Sequence, residues 1–384
     1  MSAACPVCAS GRVATVYALP RVPAHSVRTF RTRHAALAAP TGALEIVNCR
    51  DCGLLWNRKF APRLMRYDED YESTQAGSSV FDAFHRALAE RLVHEHGLAG
   101  KTVVEIGCGQ GEFLRLLAQA GAGRCLGYDP AYRGSADDKS IEVEAANFPT
   151  TGTVGADLVV CKMTLEHLDD PVAFLESVRR ALGPGSAAPL VLTVPNAGYI
   201  AADAAFWDFY HEHAFYYRPG PLIAVLARAG FVIEGIEPVF EGQYLLATAR
   251  PGDPPEAGLP RGGDGDPAAL RDRFARSVDR WRGLLDGDAA AGRTVVLWGG
   301  GSKAVAFLAA LDDGPQVNAV VDINPRRQGT YLPVTGHEIV SPSRLQQQPP
   351  ARVIAMNPAY RAEISETLSG LGLDASLVAL GDRV

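Results

Sequence analysis

The sequence predicts an α/β protein in which two open-sheet units follow a small cysteine-bearing unit. Three observations predict it. From Lys101 to Arg250, short β-branched and apolar runs alternate with helical patterns, as in a largely parallel sheet. From Arg293 to Val384 a second run of the same kind follows, and both runs open on a strand and a glycine turn. Ahead of them stand two C-x-x-C pairs, at Cys5/Cys8 and Cys49/Cys52.

Length and charge set the outer bounds. At 384 residues the chain has room for two or three domains. A hydrophobic content of 47% with 21% charged residues is ordinary for a globular enzyme. No run of about 18 apolar residues occurs, so no membrane partner is expected. The segment Met1-Ser2-Ala3-Ala4-Cys5 lacks the basic and apolar regions of a secretory signal, and a cytoplasmic location is expected. The formal charge of −6, with Arg scattered among acids, speaks against a nucleic-acid partner. In a reducing compartment the seven cysteines do not form a disulfide frame. Cys108, Cys125 and Cys161 lie in apolar stretches and are expected in the core.

The first unit, residues 1–62, carries the four remaining cysteines. Zinc prefers four soft ligands in a tetrahedron, and each C-x-x-C turn can place two sulfurs on one cation. Gly53 follows the second pair, where a tight turn wants it. The alternatives are a chance pairing or a redox disulfide, but a thioredoxin-like motif needs a βαβ unit beside one pair. With Cys5, Cys8, Cys49 and Cys52 all bound, no position stays open for catalysis, so the Zn2+ is expected to be structural.

Residues 63–97 read as a bridging segment with Tyr67 and Tyr71, then a helix on the spacing Phe81, Phe84, Leu88, Leu92. Residues 98–250 form the first α/β unit. Val103-Val104-Glu105-Ile106 runs into the turn Gly107-Cys108-Gly109-Gln110-Gly111. A dinucleotide site would read G-x-G-x-x-G and present a helix end to pyrophosphate. Here the spacing is shorter, and Glu105 would repel a pyrophosphate while pairing with the cationic end of a methionine. Asp129 ends the next strand and suits ribose hydroxyls. A third strand, from Asp157, ends at Lys162, which could reach a cofactor or lie in solvent; Glu166-His167-Leu168-Asp169-Asp170-Pro171 follows. These residues together resemble the class I S-adenosylmethionine (SAM) dependent methyltransferases. The resemblance implies a class I methyltransferase Rossmann-like domain holding SAM at Glu105, Gly107, Gly109, Gly111, Asp129 and Lys162.

The segment Trp207–Tyr217 places His211 and His213 around Glu212 with aromatics on both sides. An imidazole oriented by a carboxylate suits general base work. The other readings are a metal site, for which two alternating histidines on a strand lack a third ligand, or polar caps on a helix starting near Pro219. Residues 251–268 are rich in Pro, Gly and Asp and read as a linker, with a charged helix at about 271–285 completing a 251–290 connector. Residues 291–384 form the second α/β unit, with Trp298-Gly299-Gly300-Gly301-Ser302-Lys303 at its turn. Ser302 and Lys303 read either as a phosphate contact at a helix amino end or as a bare helix start.

The whole order, cysteine pairs, SAM unit, Tyr-His-Glu-His and a second Rossmann-like unit, resembles the sugar C-methyltransferases of deoxysugar biosynthesis. Asp322-Ile323-Asn324-Pro325-Arg326-Arg327-Gln328-Gly329 and Ile339-Val340-Ser341-Pro342 resemble that family's carboxyl-terminal strings. The resemblance implies a dTDP-linked 4-keto-deoxysugar as acceptor and His213 as the base that forms an enolate at C-3. It further implies Tyr210, Glu212, His167 and Tyr71 in the active site. Ser302, Lys303, Asp322, Asn357 and Tyr360 are expected around the nucleotide sugar. The chain departs from the family at Glu241-Gly242-Gln243-Tyr244, where the family carries His-Gly-Gly-Ser, and after Lys303. The alternative is an O- or N-methyltransferase for another small molecule on the same scaffold. A monomer or homodimer is expected.

Overall fold

The computed structural model describes residues 4–74, 77–134, 139–149, 151–253, 266–312 and 314–382. Three sheets organise them. Of the expected linker at 251–268, residues 254–265 lie outside the described residues.

The central sheet has seven strands. Their order is Phe231–Val239, Tyr244–Pro251, Leu190–Pro195, Leu158–Lys162, Val103–Ile106, Cys125–Tyr128 and Glu142–Glu144. The last five are parallel, and the hairpin Phe231–Pro251 closes the other edge antiparallel. The inner strands are buried throughout, as Leu158–Cys161 shows, because helices cover both faces. Pro171–Leu182 illustrates how such a helix is set. Asp170 accepts from the Ala173 amide, Pro171 occupies the first turn, Arg179 and Arg180 sit in the last, and Gly183 ends it. This is the class I methyltransferase Rossmann-like architecture. Cys108, Cys125 and Cys161 are buried, as expected.

The carboxyl-terminal sheet is wholly parallel, in the order Ile339–Val340, Val317–Val321, Val295–Trp298, Arg352–Ala355, Ser376–Ala379. It is the second, smaller Rossmann-like unit. The charged helix runs further than the composition indicated, Pro267–Ala290, capped by Asp266. Its buried face carries Phe274 against Tyr17 of the amino-terminal sheet and Trp281 against Phe307 of the carboxyl-terminal unit. Truncating Trp281, which is fully buried, would cost about 3–5 kcal/mol.

The amino-terminal sheet is antiparallel: Val13–Pro23, Thr41–Cys49, Leu55–Asn57 and then Phe215–Tyr216. Its fourth strand therefore comes from the segment just after Tyr210–His213. His211 and His213 do not alternate on a strand, as the sequence pattern indicated. Residues 210–214 form a turn between the short helix Phe206–Asp208 and that two-residue strand. The helix expected near Pro219 is present, Pro219–Arg228.

Candidate active site

One cavity of about 710 Å³ lies where the three units meet. Its walls include Glu105, the Gly107–Gly109 turn, Asp129, Lys162, His167, Tyr71, Tyr210, Glu212 and His213. From the carboxyl-terminal unit come Ser302, Lys303, Asp322, Asn357 and Tyr360. The candidate cofactor, catalytic and acceptor residues are thus brought together, except that Gly111 stands just behind the turn as the amino cap of Glu112–Gln119.

The glycine turn needs its glycines for different reasons. Gly107, Gly109 and Gly111 all have positive φ, of 70°, 57° and 79°. A Cβ at Gly107 would strike Thr164 Oγ1 and one at Gly111 would strike Ile141, whereas one at Gly109 would meet only ordinary contacts with Glu112 and Ser73. Asp129 fixes the turn by accepting from the Gly109 amide (2.8 Å) and the Ala131 amide (2.7 Å). Burial pushes its pKa up against those two bonds. Glu105 is buried, accepts from Lys162 Nζ (3.0 Å) and keeps Oε2 without a partner. Lys162 also lies 3.7 Å over the Phe113 ring, so it is neither a solvated lysine nor an unengaged one.

Around the second histidine the surroundings are largely aromatic. His213 is 6% exposed, with its ring against His167 (4.6 Å), Tyr210 (4.8 Å) and Tyr216 (5.5 Å). Burial, with His167 beside it, pushes its pKa well below the usual value. His167 is set by Tyr67, whose hydroxyl lies 3.0 Å from Nδ1. His211 turns away from the cavity: Nδ1 lies 2.7 Å from the Ala43 carbonyl, and the ring rests on Gly42, where any Cβ would collide with it. The two histidines do not converge.

Glu212 does not orient His213 through a direct hydrogen bond. Its Oε2 accepts from His25 Nδ1 (2.9 Å) and Tyr71 Oη (3.2 Å), and its Oε1 from the Ser26 amide (2.9 Å) and Ser26 Oγ. Because His25 Nε2 accepts from the Arg66 amide (2.8 Å), the ring proton belongs on Nδ1. Burial would raise the Glu212 pKa, but the His25 and Ser26 contacts and the neighbouring His167 outweigh it and hold it at about 2. Ser26 Oγ also lies 2.9 Å from Ser302 Oγ, so this carboxylate ties all three units. No motif marks His25 or Ser26 in the sequence; they follow the first strand and reach Glu212 only through tertiary packing.

In the carboxyl-terminal unit Lys303 pairs with Asp208, which also accepts from Tyr210 Oη (3.1 Å). The side chain is an internal partner rather than a solvated helix-start lysine. Asp322 accepts from the Gly300 amide (2.7 Å) and the Asn324 amide (2.8 Å). Asn357 exchanges two hydrogen bonds with Gln243 (3.0 and 3.1 Å), an amide pair across the two Rossmann-like units.

The four amino-terminal cysteines come together. Cys5 Sγ lies 3.6 Å from Cys52 Sγ and Cys8 Sγ 3.5 Å from Cys49 Sγ, with all four sulfurs within 4.8 Å of one another. A zinc tetrahedron with bonds of about 2.3 Å requires sulfur separations of about 3.8 Å, so the donor set fits that ion. No helix among the described residues is long and apolar enough to cross a membrane.

Residues 72–236 match the methyltransferase domain family, and residues 268–374 match the C-methyltransferase C-terminal domain family. The chain is similar to the ubiquinone biosynthesis O-methyltransferase of Paraburkholderia xenovorans, 33% identical over 179 residues, spanning 40% of this chain and 74% of the relative. The corresponding protein of a Methylobacterium species is 35% identical over 163 residues, 39% of this chain and 64% of the relative. Among solved structures, a SAM-dependent methyltransferase from Mesorhizobium loti aligns with 44% of this chain and 99% of its own at 21% identity, TM-score 0.36. The 1,6-didemethyltoxoflavin-N1-methyltransferase of Burkholderia thailandensis, with bound S-adenosylhomocysteine, aligns with 46% of this chain and 83% of its own at 18% identity, TM-score 0.36. The chain belongs to the SAM-dependent methyltransferases, and it carries a C-methyltransferase C-terminal domain.

Proposed function

We propose that the protein methylates carbon beside the ketone of a nucleotide-linked 4-keto-deoxysugar, most simply a dTDP sugar, with His213 as general base. The observation that carries this reading is that one cavity is lined by the buried His213 imidazole, by the Glu105–Gly109 turn and by Ser302 and Lys303. Glu105, Gly107, Gly109, Gly111, Asp129 and Lys162 would hold SAM, which supplies the methyl group. A ketone at C-4 acidifies the C-3 hydrogen, and a buried, neutral imidazole on the cavity wall is suited to remove it. The walls contribute proximity, and Tyr210 and His167 pack edge-on against the ring. Cys5, Cys8, Cys49 and Cys52 would hold a structural zinc. The protein would work in the cytoplasm, as a monomer or homodimer.

The test uses SAM and a panel of dTDP-4-keto-deoxysugars in heavy water, read by mass. The expected outcome is one added methyl, with deuterium entering C-3 when SAM is omitted. His213→Ala should lose at least about 10²-fold in kcat while keeping SAM affinity. A fully active His213→Ala would remove the base from this reading. A second reading, O- or N-methylation of another small molecule, draws on the O-methyltransferase relatives; it predicts methyl transfer without carbon exchange.

A further inference from the structure

Beside His213 lies a carboxyl group with no evident structural use. Glu166 is fully buried, and among the described residues neither of its side-chain oxygens has a hydrogen-bond partner. Such a group costs roughly 1–3 kcal/mol or more if left unsatisfied. Its backbone is firmly held: the Ala214 amide donates to the Glu166 carbonyl at 2.7 Å, locking the turn Leu165–His167 against the residue that follows His213. His213 Nδ1 is likewise buried and unpartnered. A Glu166 oxygen and ring nitrogens of His167 and His213 lie within 4.8 Å of one another. Two orphaned groups of complementary chemistry therefore share one wall of the cavity. Glu212 cannot serve instead, because its oxygens already take four donors.

We propose that Glu166 and His213 act as one proton-holding pair, in which Glu166 fixes the imidazole proton on Nδ1 and leaves Nε2 bare for the acceptor. The proposal rests on His213 being the base and makes Glu166 a positioning residue. In the working state the carboxylate accepts from Nδ1–H. The C-3–H bond of the acceptor breaks, its proton goes to Nε2, and its electron pair becomes the enolate. The enolate carbon bonds to the methyl of SAM, and sulfur keeps the electrons of the broken S–CH3 bond. The extra proton stays on the pair, shared towards Glu166, until product leaves and water takes it.

When the pair holds one proton more, the logic reverses. A protonated Glu166 donates to Nδ1, the ring proton moves to Nε2, and the base is blocked. Burial pushes the Glu166 pKa up to about 8, and Glu212 adds to it. Turnover should therefore rise with pH through that region. The other groups facing the pair do not supply such a limb. His167 and His213 are driven down by burial. Glu212 sits at about 2. Cys161, Tyr67, Tyr71, Tyr210, Tyr216 and Tyr217 are all pushed up by burial and stay neutral.

The test needs no acceptor at first. Nitrogen-15 histidine spectra of the whole protein should show His213 with its proton on Nδ1 above about pH 8 and on Nε2 well below it. The tautomer on Nε2 throughout would overturn the proposal. In Glu166→Gln the change near pH 8 should vanish while SAM affinity holds. With a dTDP-4-keto-deoxysugar, carbon exchange and kcat should fall about 10²-fold, and Glu166→Asp should restore part of both. Wild-type exchange rate and pH profile in Glu166→Gln would overturn the pair. Failure of the wild type itself to exchange that carbon would instead count against the enolate reading. Metal analysis supplies a last check. A second tightly held metal per chain, lost in Glu166→Gln, would overturn the proton role.

Discussion

The two glycine turns of this protein are built alike and differ in what stands beside them. Each follows the first strand of a sheet in which the next strand ends in an aspartate. Asp129 receives the Gly109 and Ala131 amides; Asp322 receives the Gly300 and Asn324 amides, at nearly the same distances. The backbone device is shared. Two residues before the first turn lies buried Glu105, with Lys162 against it. The corresponding place in the second turn is Leu297; of the cations beside that turn, Arg327 donates to the Gly300 carbonyl (2.8 Å) and Lys303 is tied to Asp208. The two loops thus share one backbone device and differ in the side chain that stands before it, a buried carboxylate in one unit and a leucine in the other.

Breaking the comparison is the most direct test of it. Asp129→Ala and Asp322→Ala each remove two charge-assisted hydrogen bonds, worth about 1.5 kcal/mol or more apiece. SAM affinity measured by calorimetry should fall about 10²-fold in the first and stay unchanged in the second. Equal losses would show that the turns are not divided by ligand.

A middle-sized effect separates the two units by acid. His85 packs among Phe81, Phe84 and Phe113 on the first unit's cavity wall, and burial pushes its pKa down to about 2. Its folded pKa lies below the unfolded one, so the unfolded chain binds the extra proton as pH falls below about 6.5. Stability present above that pH is lost below it, by about 1 kcal/mol at pH 5.5. After residue 291 the sequence holds a single histidine, His337. Melting at pH 7.5 and 5.5 should show a drop in Tm that His85→Phe reduces; an undiminished drop would place the acid-sensitive site elsewhere.

The smallest effect concerns Lys303. Lys303→Gln frees Asp208 and should raise KM for a dTDP-4-keto-deoxysugar roughly threefold, with SAM affinity unchanged. A shift in SAM affinity would blur the division between the turns.

Much of this was legible from local spacing. C-x-x-C, the glycine turn with Glu105, and Asp129 are short-range devices whose geometry follows from a few neighbouring residues. What escaped was set by packing between distant segments. His25 and Ser26 lie some 186 residues before Glu212 and carry no motif. Glu166 was visible only as part of a string, since its isolation depends on which groups fail to reach it. Alternation at His211 and His213 pointed to a strand, but the turn at 210–214 sends one ring to Gly42 and the other to the cavity.

The strand Phe215–Tyr216 has a practical consequence for anyone cutting or recombining such chains. It is encoded well inside the methyltransferase segment, yet it hydrogen-bonds to Leu55 and Trp56 as the outer edge of the amino-terminal sheet. A splice at residue 62 would leave that edge unpaired and pull on the residues immediately after His213. Swapping the leading unit between relatives therefore exchanges half of an interlocked joint, and transplants should work only when residues 206–217 travel with it.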